Sequence, residues 1–164
     1  MLRCIFLILL LFSSVAIGAT GDVRPFVPGS LAKILAAREG KPFILVFWSL
    51  DCQYCPTELR MLSRIMDRHH KLDTVLVATD TLNDASQLAS LVESYGMSQA
   101  EQWVFADSVP ERLRSEIDRY WYGEIPRTHF YDQTHQRKIK TGLIEQKFIE
   151  EWLTHNVKFN SEDH

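Results

Sequence analysis

Cysteine is scarce in this chain, with three among 164 residues, at positions 4, 52 and 55. Tetrahedral zinc takes four ligands, and no second cysteine pair supplies them. Positive charge is not in excess either. Eighteen Lys and Arg stand against 21 Asp and Glu, a formal net charge of −3, which argues against nucleic acid as a partner. No repeat, low-complexity tract or long Gly/Pro/Ser linker divides the chain, so a single domain is expected. The apolar run from Ile5 to Ile17 is shorter than the roughly 20 residues a spanning helix needs. No cysteine follows that run where a lipoprotein would be acylated. No heptad or exposed apolar strand edge speaks to oligomeric state.

What is present begins with an export signal. Arg3 supplies one positive charge, the apolar run follows, and small residues stand at Ala16, Gly18 and Ala19. The pattern predicts a signal peptide over 1–19, with an uncleaved membrane anchor as the alternative. Residues 20–157 then form the domain, and 158–164 a polar, frayed tail. A periplasmic or secreted location follows. With Cys4 inside the signal, Cys52 and Cys55 are the whole thiol inventory of the exported protein.

Those two cysteines close the tetrapeptide Cys52-Gln53-Tyr54-Cys55. Before it runs an apolar stretch, Phe43 to Trp48; after it, Pro56 to His69 has helical spacing. Two thiols on a helix's first turn can close into a disulfide and reopen. The unpaired N–H groups of the helix start stabilise the thiolate, the species that attacks a disulfide. A static bridge over so short a loop restricts the unfolded chain little, so a purely stabilising role is inefficient.

The remaining periodicities predict a sequence of elements. Ser30 caps a helix over Leu31–Arg38 closed by Gly40, and Phe43–Trp48 is a strand buried on both faces. Leu59, Leu62, Ile65 and Met66 mark the inward face of the next helix. Thr74–Thr79 is a second buried strand, and Asn83 or Asp84 caps a helix ending before Gly96. Trp103–Ala106 is a short strand. Ser108 and Glu111 form a capping box, with Pro110 in the first turn, for a helix reaching about Tyr120. Thr128–Tyr131 and Lys138–Thr141 make a hairpin around Asp132–His135. A last helix, Glu145–His155, buries Phe148, Ile149 and Trp152. Strands and helices in this order imply an α/β fold, a mixed sheet with helices on both faces.

With that order in hand, Phe47-Trp48-Ser49-x-x-Cys52-x-x-Cys55-x-x-Glu58 and the later Ile125-Pro126-x-Thr128-x-Phe130 resemble the thioredoxin superfamily. The nearest group is that of exported bacterial thiol–disulfide oxidoreductases, the cytochrome c maturation reductases and their relatives. Asp132 and Gly142 also stand where that family usually has an Asp and a Gly. The resemblance spans about Leu31 to Leu153. Departures are Asp51 where Trp usually precedes the first cysteine, Gln53-Tyr54 between the cysteines, Pro56 after them, and Glu124 and Arg127 around the Ile-Pro pair.

The resemblance implies a thioredoxin fold and a division of labour. Cys52 attacks and Cys55, one turn inward, resolves the mixed disulfide. Glu58 handles protons for Cys55, with a solvated first-turn carboxylate as the alternative. Pro126 is cis, and Ile125, Pro126 and Tyr54 meet the substrate. Trp48 packs beneath the pair. No cofactor is implied beyond the Cys52–Cys55 disulfide, and no metal. The partners are protein thiols and disulfides, with a membrane thiol–disulfide reductase as electron donor.

Asp51 bears on direction. A carboxylate beside Cys52 opposes thiolate formation and favours the disulfide form, hence reducing behaviour, unless Lys41, Arg60 or Arg127 approaches in the fold. The alternatives are a disulfide donor or isomerase, a copper-binding chaperone using His129 or His135 as third ligand, and an interaction module with an inert bridge.

Overall fold

The chain's first strand is one that its periodicity did not announce. In the computed structural model, which describes residues 22–70 and 72–157, β1 (Val23–Phe26) pairs in parallel with β4 (Glu101–Phe105). Between them come α1 (Ser30–Ala36), β2 (Phe43–Trp48), α2 (Cys55–Arg68), β3 (Thr74–Ala78), a 3-10 turn (Leu82–Asp84) and α3 (Ala85–Ser94). After β4 follow α4 (Pro110–Ile117), β5 (Arg127–Tyr131), β6 (Arg137–Thr141) and α5 (Gln146–Asn156). The sheet order is β1-β4-β3-β2-β5-β6. β1, β4, β3 and β2 run parallel to one another, and β5 is antiparallel to both β2 and β6. The signal and tail expectations, 1–19 and 158–164, lie outside the described residues. Among the described residues, no helix is long and apolar enough to cross a membrane.

Period-two alternation divides the core into two layers. Ile44, Val46 and Trp48 of β2 face one way, with Leu59, Leu62 and Ile65 of α2, Leu88 and Val92 of α3, and Ile149, Trp152 and Leu153 of α5. Phe43, Leu45 and Phe47 face the other, against Leu31 and Ile34 of α1 and Leu113 and Ile117 of α4. All six residues of β2 are buried, as an unbroken apolar run requires when helices cover both faces. Each fully buried Leu or Ile contributes about 1.5–3 kcal/mol relative to exposure.

Several ends differ from expectation, each for a local reason. Ser30 lies inside α1 rather than capping it; Gly29 holds the cap position, and the Ser30 hydroxyl accepts the Val27 N–H at 2.9 Å. The first helix stops at Ala36, short of Arg38, whose guanidinium instead pairs with Asp73 and Glu101. Asp84 holds the N-cap position of α3, as expected, but its side chain makes no capping bond to that helix. Thr81 and Asp84 form a reciprocal box around the preceding 3-10 turn. Ser108 makes no cap for α4; Val109 holds the cap position, and its N–H donates to Asp107 at 2.8 Å. That helix ends at Ile117 rather than near Tyr120, because Asp118 turns its carboxylate to the Tyr120 N–H and to Arg127. In α5 Phe148 is only partly buried, edge-on to Phe130, and Leu153 takes the third core position. One glycine is required by contact. Gly96 has φ +76°, and a Cβ there would stand 2.6 Å from the Ser63 hydroxyl oxygen that links α2 to the Gly96 carbonyl.

Candidate active site

The cysteine pair sits where β2 leaves the C-terminal edge of the sheet. Cys52 lies in the turn ahead of α2, and α2 begins at Cys55, one residue earlier than its spacing predicts. Only the second cysteine is therefore on the helix. The two sulfurs are joined, with the Cα atoms 5.4 Å apart. Cys52 is 8 % exposed and Cys55 0 %, so the first sulfur borders solvent and the second is enclosed. The Cys55 N–H donates to the Cys52 sulfur at 3.1 Å. That donor belongs to the start of α2, where backbone N–H groups lack intrahelical partners and the dipole favours negative charge. A thiolate on Cys52 would be stabilised by the same contact.

Packing sets the pair's surroundings. Trp48 is buried beneath the turn and lies edge-on to Tyr95 at 6.5 Å. Arg60 stacks on the other side of that column, 4.8 Å from the Tyr95 ring. Tyr54, between the cysteines, is 55 % exposed. Pro126 follows a cis Ile125–Pro126 bond and is buried. Since Phe47 pairs with Arg127 across β2 and β5, Trp48 and Pro126 are the next residues on at the same edge. Ile125 packs partly buried against the core layer that contains both cysteines. The Pro126 carbonyl accepts the Gly142 N–H at 2.8 Å, and Gly142 has φ +82°.

Glu58 is not a solvated first-turn carboxylate. It is fully buried; one oxygen accepts the Thr128 hydroxyl at 2.6 Å and the other the Ile144 N–H at 3.3 Å. Burial pushes its carboxyl above the usual carboxylate range, opposed by those two bonds. Thr128 and Ile144 were not singled out from the sequence. Thr128 was legible only as part of the Ile-Pro-x-Thr segment.

The cations that could have countered Asp51 are engaged elsewhere. Lys41 stands at the far end of β2, Arg60 lies on Tyr95, and Arg127 faces the opposite core layer, paired with Asp118. His129 lies on that same opposite face, edge-on to Phe47, and His135 Nε2 bonds the Arg38 carbonyl oxygen at 2.9 Å. Neither histidine joins the cysteines as a copper ligand, and no group of three metal-ligating side chains forms among the described residues. A surface depression lined by Lys138, Phe148, Trp152 and His155 lies over α5 and includes neither cysteine.

The fold and its cysteine pair define a thioredoxin-like thiol–disulfide oxidoreductase. Residues 29–139 match the AhpC/TSA family, and the chain belongs to it. Solved structures share the fold at low identity. A secreted disulfide oxidoreductase of Mycobacterium tuberculosis, described as homologous to E. coli DsbE, is 20 % identical with a TM-score of 0.56, covering 73 % of this chain and 85 % of its own. A thiol:disulfide interchange protein of Chlorobium tepidum is 15 % identical with a TM-score of 0.57, covering 76 % and 85 %. The exposed lipoprotein thioredoxin of Streptococcus pneumoniae is 18 % identical with a TM-score of 0.54, covering 74 % and 89 %. Curated protein sequences yield no significant match.

Proposed function

We propose that this oxidoreductase works outside the cytoplasm in the reducing direction. Its Cys52 thiolate attacks a substrate disulfide, and Cys55 displaces the substrate from the mixed disulfide. Two electrons pass from the enzyme dithiol to the substrate sulfurs, leaving the Cys52–Cys55 disulfide and a substrate dithiol. The observation that carries this reading is the asymmetry of the pair: a bordering sulfur held by the Cys55 N–H, and a fully enclosed second one. Glu58, one helical turn beyond Cys55 and with its carboxyl pushed up by burial, exchanges the proton of the buried thiol. Tyr54, Ile125 and Pro126 form the substrate-facing rim. A membrane thiol–disulfide reductase restores the dithiol, and a haem-acceptor cysteine pair of an apocytochrome is one candidate substrate class.

The reducing lean rests on Asp51, with Arg60 lying on Tyr95 and Arg127 paired with Asp118 on the opposite face. Export rests on the apolar N-terminal run, and the secreted and surface-exposed relatives support it. The test is the reduction potential of the pair in defined thiol buffers. A value near or below about −220 mV is expected. A value near about −120 mV, where strong oxidants lie, would make the protein a disulfide donor.

A further inference from the structure

The turn that carries Cys52 is held from the neighbouring strand. The Trp48 carbonyl accepts the Thr79 N–H at 2.9 Å and the Thr79 hydroxyl at 3.4 Å. One residue on, the Asp80 carboxylate accepts the Ser49 hydroxyl at 3.0 Å and the Leu50 N–H at 3.2 and 3.3 Å to its two oxygens. Ser49 passes the connection forward. Its hydroxyl oxygen accepts the Asp51 N–H at 3.2 Å, and its carbonyl accepts the Cys52 N–H at 3.2 Å. Every residue from Ser49 to Cys52 is thus tied, directly or through Ser49, to one carboxylate. The arrangement matters because Cys52 lies ahead of α2 and takes no order from that helix's ladder.

We infer that Asp80 is a positioning residue for Cys52. By pinning the Ser49–Cys52 turn it keeps the Cys52 sulfur in reach of Cys55, and so sets how strongly the pair favours the disulfide. The inference rests on the redox reading of the pair and deepens it. Asp80 is partly buried, and its carboxyl is pushed up by that burial against the pull of Leu50 and Ser49. Its negative charge near the turn also opposes a thiolate on Cys52, in the same direction as its tethering.

The test is equilibration of wild type, Asp80→Ala, Asp80→Asn and Ser49→Ala with glutathione buffers, followed by alkylation and mass analysis of the trapped thiols. Two glutathione thiols give two electrons and two protons to the pair and leave as glutathione disulfide. Asp80→Ala is expected to weaken disulfide formation about tenfold, the loss expected of one hydrogen bond, or about 30 mV for a two-electron couple. Asp80→Asn keeps an acceptor oxygen for Ser49 and Leu50 and should restore the constant to within about threefold. Ser49→Ala should shift it in the same direction by less, and the double variant no further than Asp80→Ala, since both act through one turn. Wild type that exchanges while Asp80→Ala and Ser49→Ala leave the constant unchanged would overturn the inference alone. Wild type that does not exchange with glutathione would overturn the redox reading beneath it. Should Asp80→Ala not fold, Ser49→Ala decides, because it removes one hydroxyl and no charge.

Discussion

Thr128 and His129 are neighbours on β5, yet they point to opposite faces of the sheet and meet opposite conditions. On the cysteine face, Thr128 serves Glu58, whose two oxygens both have donors. On the other face, His129 is equally buried but only half satisfied. Arg127 donates from Nε to His129 Nε2 at 3.2 Å. An arginine can only donate, so Nε2 is the acceptor and the ring proton sits on Nδ1, which has no partner. Around it Arg127 pairs with Asp118 and bonds the Thr141 hydroxyl at 3.1 Å. One face spends a buried acid beside the reactive pair; the other embeds a neutral imidazole in an ion-paired, aromatic shell. Burial alone therefore does not mark a functional group. The difference lies in what the group is next to and whether it can change its proton without losing its partners.

Acidification gives the largest contrast between the faces, because their pH dependences have opposite signs. Burial lowers the His129 pKa from 6.5 to about 3. Between those values the unfolded chain binds a proton that the folded protein refuses, so His129 erodes stability as pH falls, by up to about 1.4 kcal/mol per unit. Glu58 is raised above its ordinary 4.5, so the folded state holds the extra proton. Its contribution weakens stability as pH rises from 4.5 through its folded value, and is relieved on acidification. Urea midpoints from about pH 4 to 8 should show a flatter acid limb in His129→Gln and a steeper rise above 4.5 in Glu58→Gln, which no longer loses stability there. Identical profiles for wild type and both variants would mean that neither group's burial controls its proton.

Removing Arg127 strikes only the far face. Arg127→Ala leaves Asp118 and His129 without their shared donor, and the loss of one partner of a largely buried pair should cost about 2–4 kcal/mol in urea unfolding. The folded fraction should keep the glutathione equilibrium of wild type, since Arg127 turns away from the cysteines. A shifted equilibrium would show that the faces communicate through β5. The smallest change is Thr128→Val, which keeps the shape and deletes the donor to Glu58. It should cost about 1.5–3 kcal/mol, as expected for a hydrogen bond to a charged group. It should also raise the Glu58 carboxyl further, because that bond holds it down. An acid limb indistinguishable from wild type would rule out a Thr128 contribution to Glu58.

Much of this was legible in the chain. Phe43–Trp48 was readable as a buried strand to the residue, because no polar position interrupts it. The hairpin was readable from its polar turn, although each strand, Arg127–Tyr131 and Arg137–Thr141, starts one residue before the expected Thr128 and Lys138. β1 was not. Val23-Arg24-Pro25-Phe26 is short, carries a proline and exposes its middle two residues, and it is a strand only because β4 offers a parallel edge 78 residues later. Helix ends misled where a cap was read from residue type. Ser30 and Ser108 are good capping residues, but a neighbour, Gly29 in one case and Val109 in the other, held the position. Asp80 gave one signal that went unused, a carboxylate two residues past a wholly buried strand beside the strand that leads to the cysteines.

The amino-acid sequence by itself determined the redox pair, the strand before it, the helix after it and the Ile-Pro segment, because these depend on local spacing and on residue chemistry. Tertiary structure alone decided which polar groups are buried and with whom. Glu58 is enclosed because β5 and the segment after β6 close over α2, and His129 is parted from the cysteines because alternate residues of one strand face opposite layers. Such partnerships join residues 70 or more positions apart in the chain, where neither propensity nor periodicity carries information.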